Sequence, residues 1–238
     1  RTESVGPTFV GESRGPLSQY ADDIHQIHAR YLTSVGGTPI MAVVIQTVTA
    51  VAVKSADEVT YWVVENDHVD PELFYRERNV PRGTPIQFEF FVDIIRNFPV
   101  ALLNPGGGDP IQTFKLTDHY AVLRENRARP IPELPIATDL QEGESVTVAL
   151  LQGGGLTQVG SFTETTTQIT QLPPEAPLFF INWPQKDIES THGAPVFAQR
   201  EGKWLLAGIR VAHNRSTRSD WSAVARLPKL EDLISHKL

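Results

Sequence analysis

The chain has 238 residues, 40% hydrophobic and 21% charged, which suits a globular protein with a sizeable core and argues against disorder. Lysine and arginine number 21 against 28 aspartate and glutamate, a formal charge of −7 with no basic run to offset it, so a dedicated nucleic-acid binder is excluded. Cysteine is absent, which removes disulfides, thiolate metal sites, a cysteine nucleophile and redox switching.

The longest apolar stretch, Ile40 to Val53, is broken by Gln46, Thr47 and Thr49, so no membrane span is expected. The chain opens on Arg1 rather than Met; it is expected to be processed or trimmed there, with any targeting signal out of view and the compartment open. Residues 1–17, with Gly6, Pro7, Gly11, Gly15 and Pro16, are expected to form an extended arm. Tyr20, Ile24, Ile27 and Tyr31 fall at helical spacing and predict a helix over Ser18–Leu32, with Asp22 and Asp23 near its start and Gly36-Gly37 closing the unit. Arm and helix together are expected to make a separate N-terminal unit, 1–37.

From Thr38 onward the pattern turns to short runs rich in Val, Ile, Thr and Phe between turn residues. The predicted strands are Ile40–Val53, Val59–Glu65, Ile86–Ile95, Tyr120–Arg124, Val146–Leu151, Leu156–Phe162, Gln168–Leu172, Leu178–Asn182, Pro195–Ala198, Trp204–Val211 and Ser222–Arg226. Ala56-Asp57-Glu58 predicts a hairpin turn, and Leu230–Ile234 a short C-terminal helix. Asn104–Pro110 and Gly153–Gly155 are loops; neither carries the Lys-Ser/Thr and helix of a phosphate loop. Many strands without intervening helices predict an all-β protein, a sandwich or a pair of barrels.

Three ordered segments carry more. Val51–Lys54, a turn, then Tyr61-Trp62-Val63-Val64-Glu65-Asn66-Asp67-His68-Val69 form the first. His119-Tyr120-Ala121-Val122-Leu123-Arg124 is the second, followed by Glu142-Gly143-Glu144-Ser145-Val146. The third is Ser190-Thr191-His192-Gly193-Ala194-Pro195-Val196-Phe197 with Trp204–Ile209. Together they resemble the trypsin-like serine protease family, especially its bacterial members of the HtrA kind, over roughly 38–238. The resemblance implies two packed antiparallel six-stranded β-barrels, about 38–130 and 140–228, meeting near 128–142.

It also implies a degenerate site. His68 falls on the catalytic base, but His119 stands where the family has its aspartate and His192 where it has its serine. The chemistry needs a hydroxyl, a base, a carboxylate and an oxyanion hole, and two imidazoles cannot replace the first and third. Ser190 replaces a glycine in the oxyanion loop, Thr191 an acidic residue, and His213 falls in the former substrate groove with Ser190, Thr191 and Gly193. The first expectation is a catalytically inactive pseudoprotease that binds a protein or peptide partner. A second is a metalloprotein or metal-dependent hydrolase in which His68, His119 and His192 hold Zn²⁺ or a similar ion. A third is an active protease with a shifted register and Thr191 or Ser190 as nucleophile, against which Gly193-Ala194-Pro195 argues by fixing the loop. His25 and His28 are expected on a solvated helix face, Asn214-Arg215-Ser216 as an unused glycosylation sequon, and Phe90-Phe91 and Phe179-Phe180 as core.

Overall fold

The computed structural model describes residues 16–17, 19–20, 24–35, 38–40, 46–66, 81, 86–92, 111–152, 161–183, 191–211 and 220–235. Among these it contains thirteen strands and one short helix, so the protein is all-β. The first sheet holds β1 (Ile24–Val35), β2 (Thr38–Ile40), β3 (Gln46–Ala56), β4 (Val59–Glu65), β5 (Ile86–Val92), β6 (Ile111–Leu116) and β7 (Tyr120–Glu125). Its order is β2-β1-β3-β4-β7-β6, with β5 on the other side of β1. The second unit is a closed six-stranded barrel in the order β10-β13-β12-β11-β8-β9. Its strands are β8 (Ser145–Gln152), β9 (Ser161–Gln171), β10 (Leu178–Asn182), β11 (Pro195–Arg200), β12 (Lys203–Val211) and β13 (Trp221–Arg226), and α1 (Leu230–Leu233) follows. Every ladder between strands is antiparallel. Only the second unit forms a closed barrel among the described residues; the first is a seven-stranded sheet.

The helix expected over Ser18–Leu32 is not there. From Ile24 onward this stretch is β1, which pairs antiparallel with both β3 and β5. The two neighbouring ladders satisfy its backbone groups, and that non-local gain overrides a local helical period. His25 and His28 therefore lie on a strand, and the helical relation between them is lost. Three further expectations change; the run predicted as one strand over Ile40–Val53 gives the end of β2 (Thr38–Ile40) and most of β3 (Gln46–Ala56). β6 was not predicted; it is an edge strand whose burial is mixed and whose register shifts between Thr113 and Lys115, so neither periodicity stands out in its six residues. β9 runs unbroken through Thr163–Gln168, where no apolar residue marks a strand; threonine suits the pleat, and the ladder to β8 supplies the pairing.

The hairpin turn fits the sequence. β3 and β4 are joined by Asp57 (φ 52°) and Glu58 (φ 62°), two left-handed residues whose twist matches the flanking strands. The core is double. Val146, Val148, Leu150, Ile169, Phe179, Ile181, Val196 and Val224, all from barrel strands, pack together. The opposite faces of those strands, through Ala149, Phe197, Ile209, Ala223 and Ala225, join Val51, Val53, Val63 and Val122 of the first sheet. Alternation along each strand is what divides the two clusters: Val224 goes to one, Ala223 and Ala225 to the other. The segment between the sheets is stitched to both. Leu134 donates its N–H to the Val53 carbonyl (2.9 Å), Leu206 to Pro135 (2.8 Å) and Ala137 to Leu206 (2.8 Å). Leu17 is fully buried in the shared core, its N–H on Glu164 of the barrel (2.6 Å), and Tyr20 stacks on Phe197.

Candidate functional site

The two sheets meet at the turn 191–193, which enters β11. Thr191 and His192 are buried, 3% and 7% exposed. Gly193 has φ +86°, and a Cβ there would sit 2.0 Å from the Thr49 carbonyl oxygen, so the position accepts no side chain. Backbone bonds fix the turn on both sides: Thr49 N–H to His192 O (3.0 Å), Gly193 N–H to Arg210 O (2.7 Å) and Arg210 N–H to Ala194 O (2.8 Å). The turn is thus clamped between β3 of one sheet and β12 of the other.

The end of β4 faces it. His192 Nδ1 lies 3.3 Å from Oε2 of Glu65, whose side chain is 1% exposed. Asn66, next in the chain, donates from Nδ2 to the carbonyls of Thr117 (3.1 Å) and Asp118 (2.7 Å). This ties the end of β4 to the turn before β7, where Tyr120 is the register partner of Glu65. Thr117 Oγ1 in turn accepts the Tyr120 N–H (3.1 Å). His119 stands in that turn, half-buried, and Asp118 beside it is exposed. Burial pushes the Tyr120 phenol above its ordinary pKa.

Of the residues singled out in the sequence, Thr191, His192 and Gly193 form one turn, and His119 stands in the turn before β7, whose first residue Tyr120 pairs with Glu65. His68, Ser190 and His213 lie outside the described residues. Among the described residues no three His, Asp or Glu side chains gather as a metal-binding group.

Sequence reasoning passed over four residues here. Arg210, 2% exposed, donates from Nη2 to Thr191 Oγ1 and from Nη1 to Ser222 Oγ (3.3 Å), and its guanidinium lies 5.2 Å from the Trp183 ring centroid. Glu65 is the fourth. Both charges had a signal in the sequence: each sits inside or at the end of an apolar run that forms a buried strand, Tyr61–Glu65 and Leu205–Val211. A charge placed so must find a partner or distort the fold.

At the far end of β11, Arg200 bridges Asp139 and Glu144 beside a concavity also lined by Gln141, Glu142 and Gly143. The hydrogen bond from Arg200 holds the exposed Asp139 carboxyl below its ordinary pKa, and both acids raise that of Arg200. Asp139 and Glu144 are thus satisfied by this arginine, and Glu142 accepts the Leu172 N–H (3.4 Å).

No family model matches the chain, and no curated protein matches it. Among solved structures it is similar to Rv3671c from M. tuberculosis H37Rv: an inactive form of a mutant (13% identity, 93% of each chain covered, TM-score 0.49). An inactive form of the Rv3671c protease is 12% identical, with 92% of this chain and 90% of that one covered and a TM-score of 0.48. The active form of the M. tuberculosis protease is 12% identical, with 98% and 92% covered and a TM-score of 0.49.

Proposed function

We propose that this chain is a pseudoprotease on a trypsin-like scaffold, without serine-protease activity, that serves as a binding or regulatory module for a peptide or protein. The observation that carries the reading is the pairing of His192 with Glu65. The residue in the nucleophile's place is an imidazole lying 3.3 Å from a buried carboxyl, and neither group can act as the hydroxyl nucleophile that acyl transfer of this kind requires. The shifted-register alternative is weakened by Thr191, whose hydroxyl oxygen accepts a hydrogen bond from Arg210. A lone pair drawn toward a guanidinium is a poorer nucleophile. Gly193 supports the register itself, since only glycine fits against the Thr49 carbonyl.

One observation favours a second reading. A metal-ligating histidine commonly holds a carboxylate on its other ring nitrogen. Glu65 Oε2 lies 3.3 Å from Nδ1 of His192, near where such a carboxylate would stand, and Nε2 would be left for an ion, with His68 and His119 as the remaining ligands. Calorimetric titration of untagged protein with Zn²⁺ separates the two: stoichiometric binding lost in His119→Ala supports the metal site, and silence in the wild type ends it.

The test of the main reading is a fluorophosphonate probe on the full chain. No labelling is expected. Stoichiometric labelling at Thr191 or Ser190 overturns it.

A further inference from the structure

The chain before β1 reaches across to the barrel. Leu17 is fully buried and Tyr20 half-buried, while Pro16 and Gln19 are exposed. Tyr20 donates its N–H to the Leu17 carbonyl (2.9 Å), and this turn sets both side chains against the core shared by the two sheets. None of these four residues belongs to a strand. Side chains of the barrel hold them: the Leu17 N–H meets Oε1 of Glu164 (2.6 Å), and the Tyr20 ring stacks on Phe197 with centroids 5.2 Å apart and planes at 22°.

Three adjacent barrel strands, β9-β8-β11, build the landing place. On β8, Thr147 and Ala149 stand two residues apart and face the same side. Glu164 of β9 is the register partner of Ala149, and Phe197 of β11 that of Thr147. The middle strand thus presents small residues between a carboxylate on one flank and an aromatic ring on the other, which makes a trough. Its recognition elements differ in kind. The apolar floor takes a leucine, the Glu164 carboxylate takes a backbone N–H in a charge-assisted bond, and the Phe197 face takes a second ring. None of them requires that the segment be joined to β1.

We propose that this trough is a peptide-binding site for a Leu-x-x-Tyr segment, that residues 17–20 occupy it as an intrachain ligand, and that such a segment on a partner protein replaces them. The leucine position excludes proline, since Glu164 binds its N–H. The tethered segment competes at an effective concentration of about a millimolar, so the trough is closed by default and opens to a partner that binds better or is abundant. This goes beyond the reading of the chain as a binding module: it names a place and a ligand class, and it holds or fails independently of the former nucleophile turn.

The first test is amide hydrogen exchange on the full chain. A segment that leaves its trough by itself exchanges by local opening. The Leu17 N–H should therefore exchange at least about 100-fold faster than the Leu206 N–H, which bonds to Pro135, and its rate should barely respond to low urea. Equal protection of the two overturns the proposal, because Leu17 would then open only with the whole fold. The second test offers Ac-Pro-Leu-Ser-Gln-Tyr-NH2, the sequence of residues 16–20, to the variant Leu17→Ala/Tyr20→Ala. Calorimetry should show at least about tenfold tighter binding to that variant than to the wild type, whose trough is filled, and the peptide should raise the variant's Tm. Adding Glu164→Gln should weaken binding about tenfold, as a charge-assisted bond becomes a neutral one. No binding to the variant, equal affinity for variant and wild type, or equal binding of Ac-Pro-Ala-Ser-Gln-Tyr-NH2 overturns the site. Should the double variant fail to fold, Tyr20→Ala, which keeps Leu17 in the core, takes its place with the same expectations. Fluorophosphonate labelling would overturn the pseudoprotease reading and leave both tests as they stand.

Discussion

Nδ1 of His192, at the mouth of β11, lies 3.3 Å from Oε2 of Glu65, at the end of β4, and both side chains are buried. The contact joins the closed barrel to the first sheet, and no local rule of sequence predicts it.

His192→Ala and Glu65→Gln each remove one side of this buried polar contact and should each cost about 1–3 kcal/mol. The double variant should recover part of that, giving a coupling above about 1 kcal/mol in urea titrations. Strict additivity of the two losses would show that the pair is a neighbourhood and not an interaction.

Three glycines with positive φ separate conformational strain from collision. Gly202 at φ +77° has no atom within 4 Å of an added Cβ, so Gly202→Ala should cost about 1 kcal/mol, the left-handed penalty alone. Gly143 at φ +82° is equally open and should behave alike. Gly193→Ala would place its Cβ 2.0 Å from a backbone oxygen and should lose more than about 3 kcal/mol. Thermal unfolding that ranks the three equally would contradict the clamped turn.

Arg129 closes a second buried arrangement. Its guanidinium grips Glu125 through Nε (2.6 Å) and Nη2 (2.9 Å) and lies 5.1 Å from the Trp62 ring centroid, while Trp62 Nε1 donates to Glu125 (3.4 Å). Arg129→Met should destabilise by about 3 kcal/mol, because Glu125 is 1% exposed and would lose its cation. Adding Glu125→Gln to that variant should restore stability. A double variant no better than the single would mean that packing of the arginine stem carries the effect.

Asp139 sets a pH dependence. Its carboxyl is held below the ordinary value of 3.8, chiefly by the hydrogen bond from Arg200. A depressed carboxyl stabilises the fold above its unfolded-state value, and that contribution fades as pH falls through the lower folded-state value. Carboxyl titration by NMR should show Asp139 returning to the ordinary range in Arg200→Gln. A titration curve unmoved by that substitution would remove Arg200 as the cause.

The sequence by itself determined the texture of this protein. Short Val-, Ile-, Thr- and Phe-rich runs between turns made it all-β, and the runs Val59–Glu65, Leu178–Asn182 and Trp204–Val211 became β4, β10 and most of β12. The pair Asp57-Glu58 made a tight hairpin, and Leu230–Leu233 a helix, because turn chemistry and apolar alternation act over a few residues. Tertiary structure decided the rest. β1 is a strand against its own helical period because β3 and β5 offer it two ladders, a gain that exists only once distant segments meet. β6 and the middle of β9 took their form from their partners in the same way. At the site, the order of the segments directed attention to His192 and Gly193, while Glu65, Arg210 and Ser222 were read as parts of strands and Trp183 was passed over. Strand pairing converts positions far apart in the chain into neighbours, and a buried charge takes its partner from that neighbourhood and not from the residues beside it in sequence.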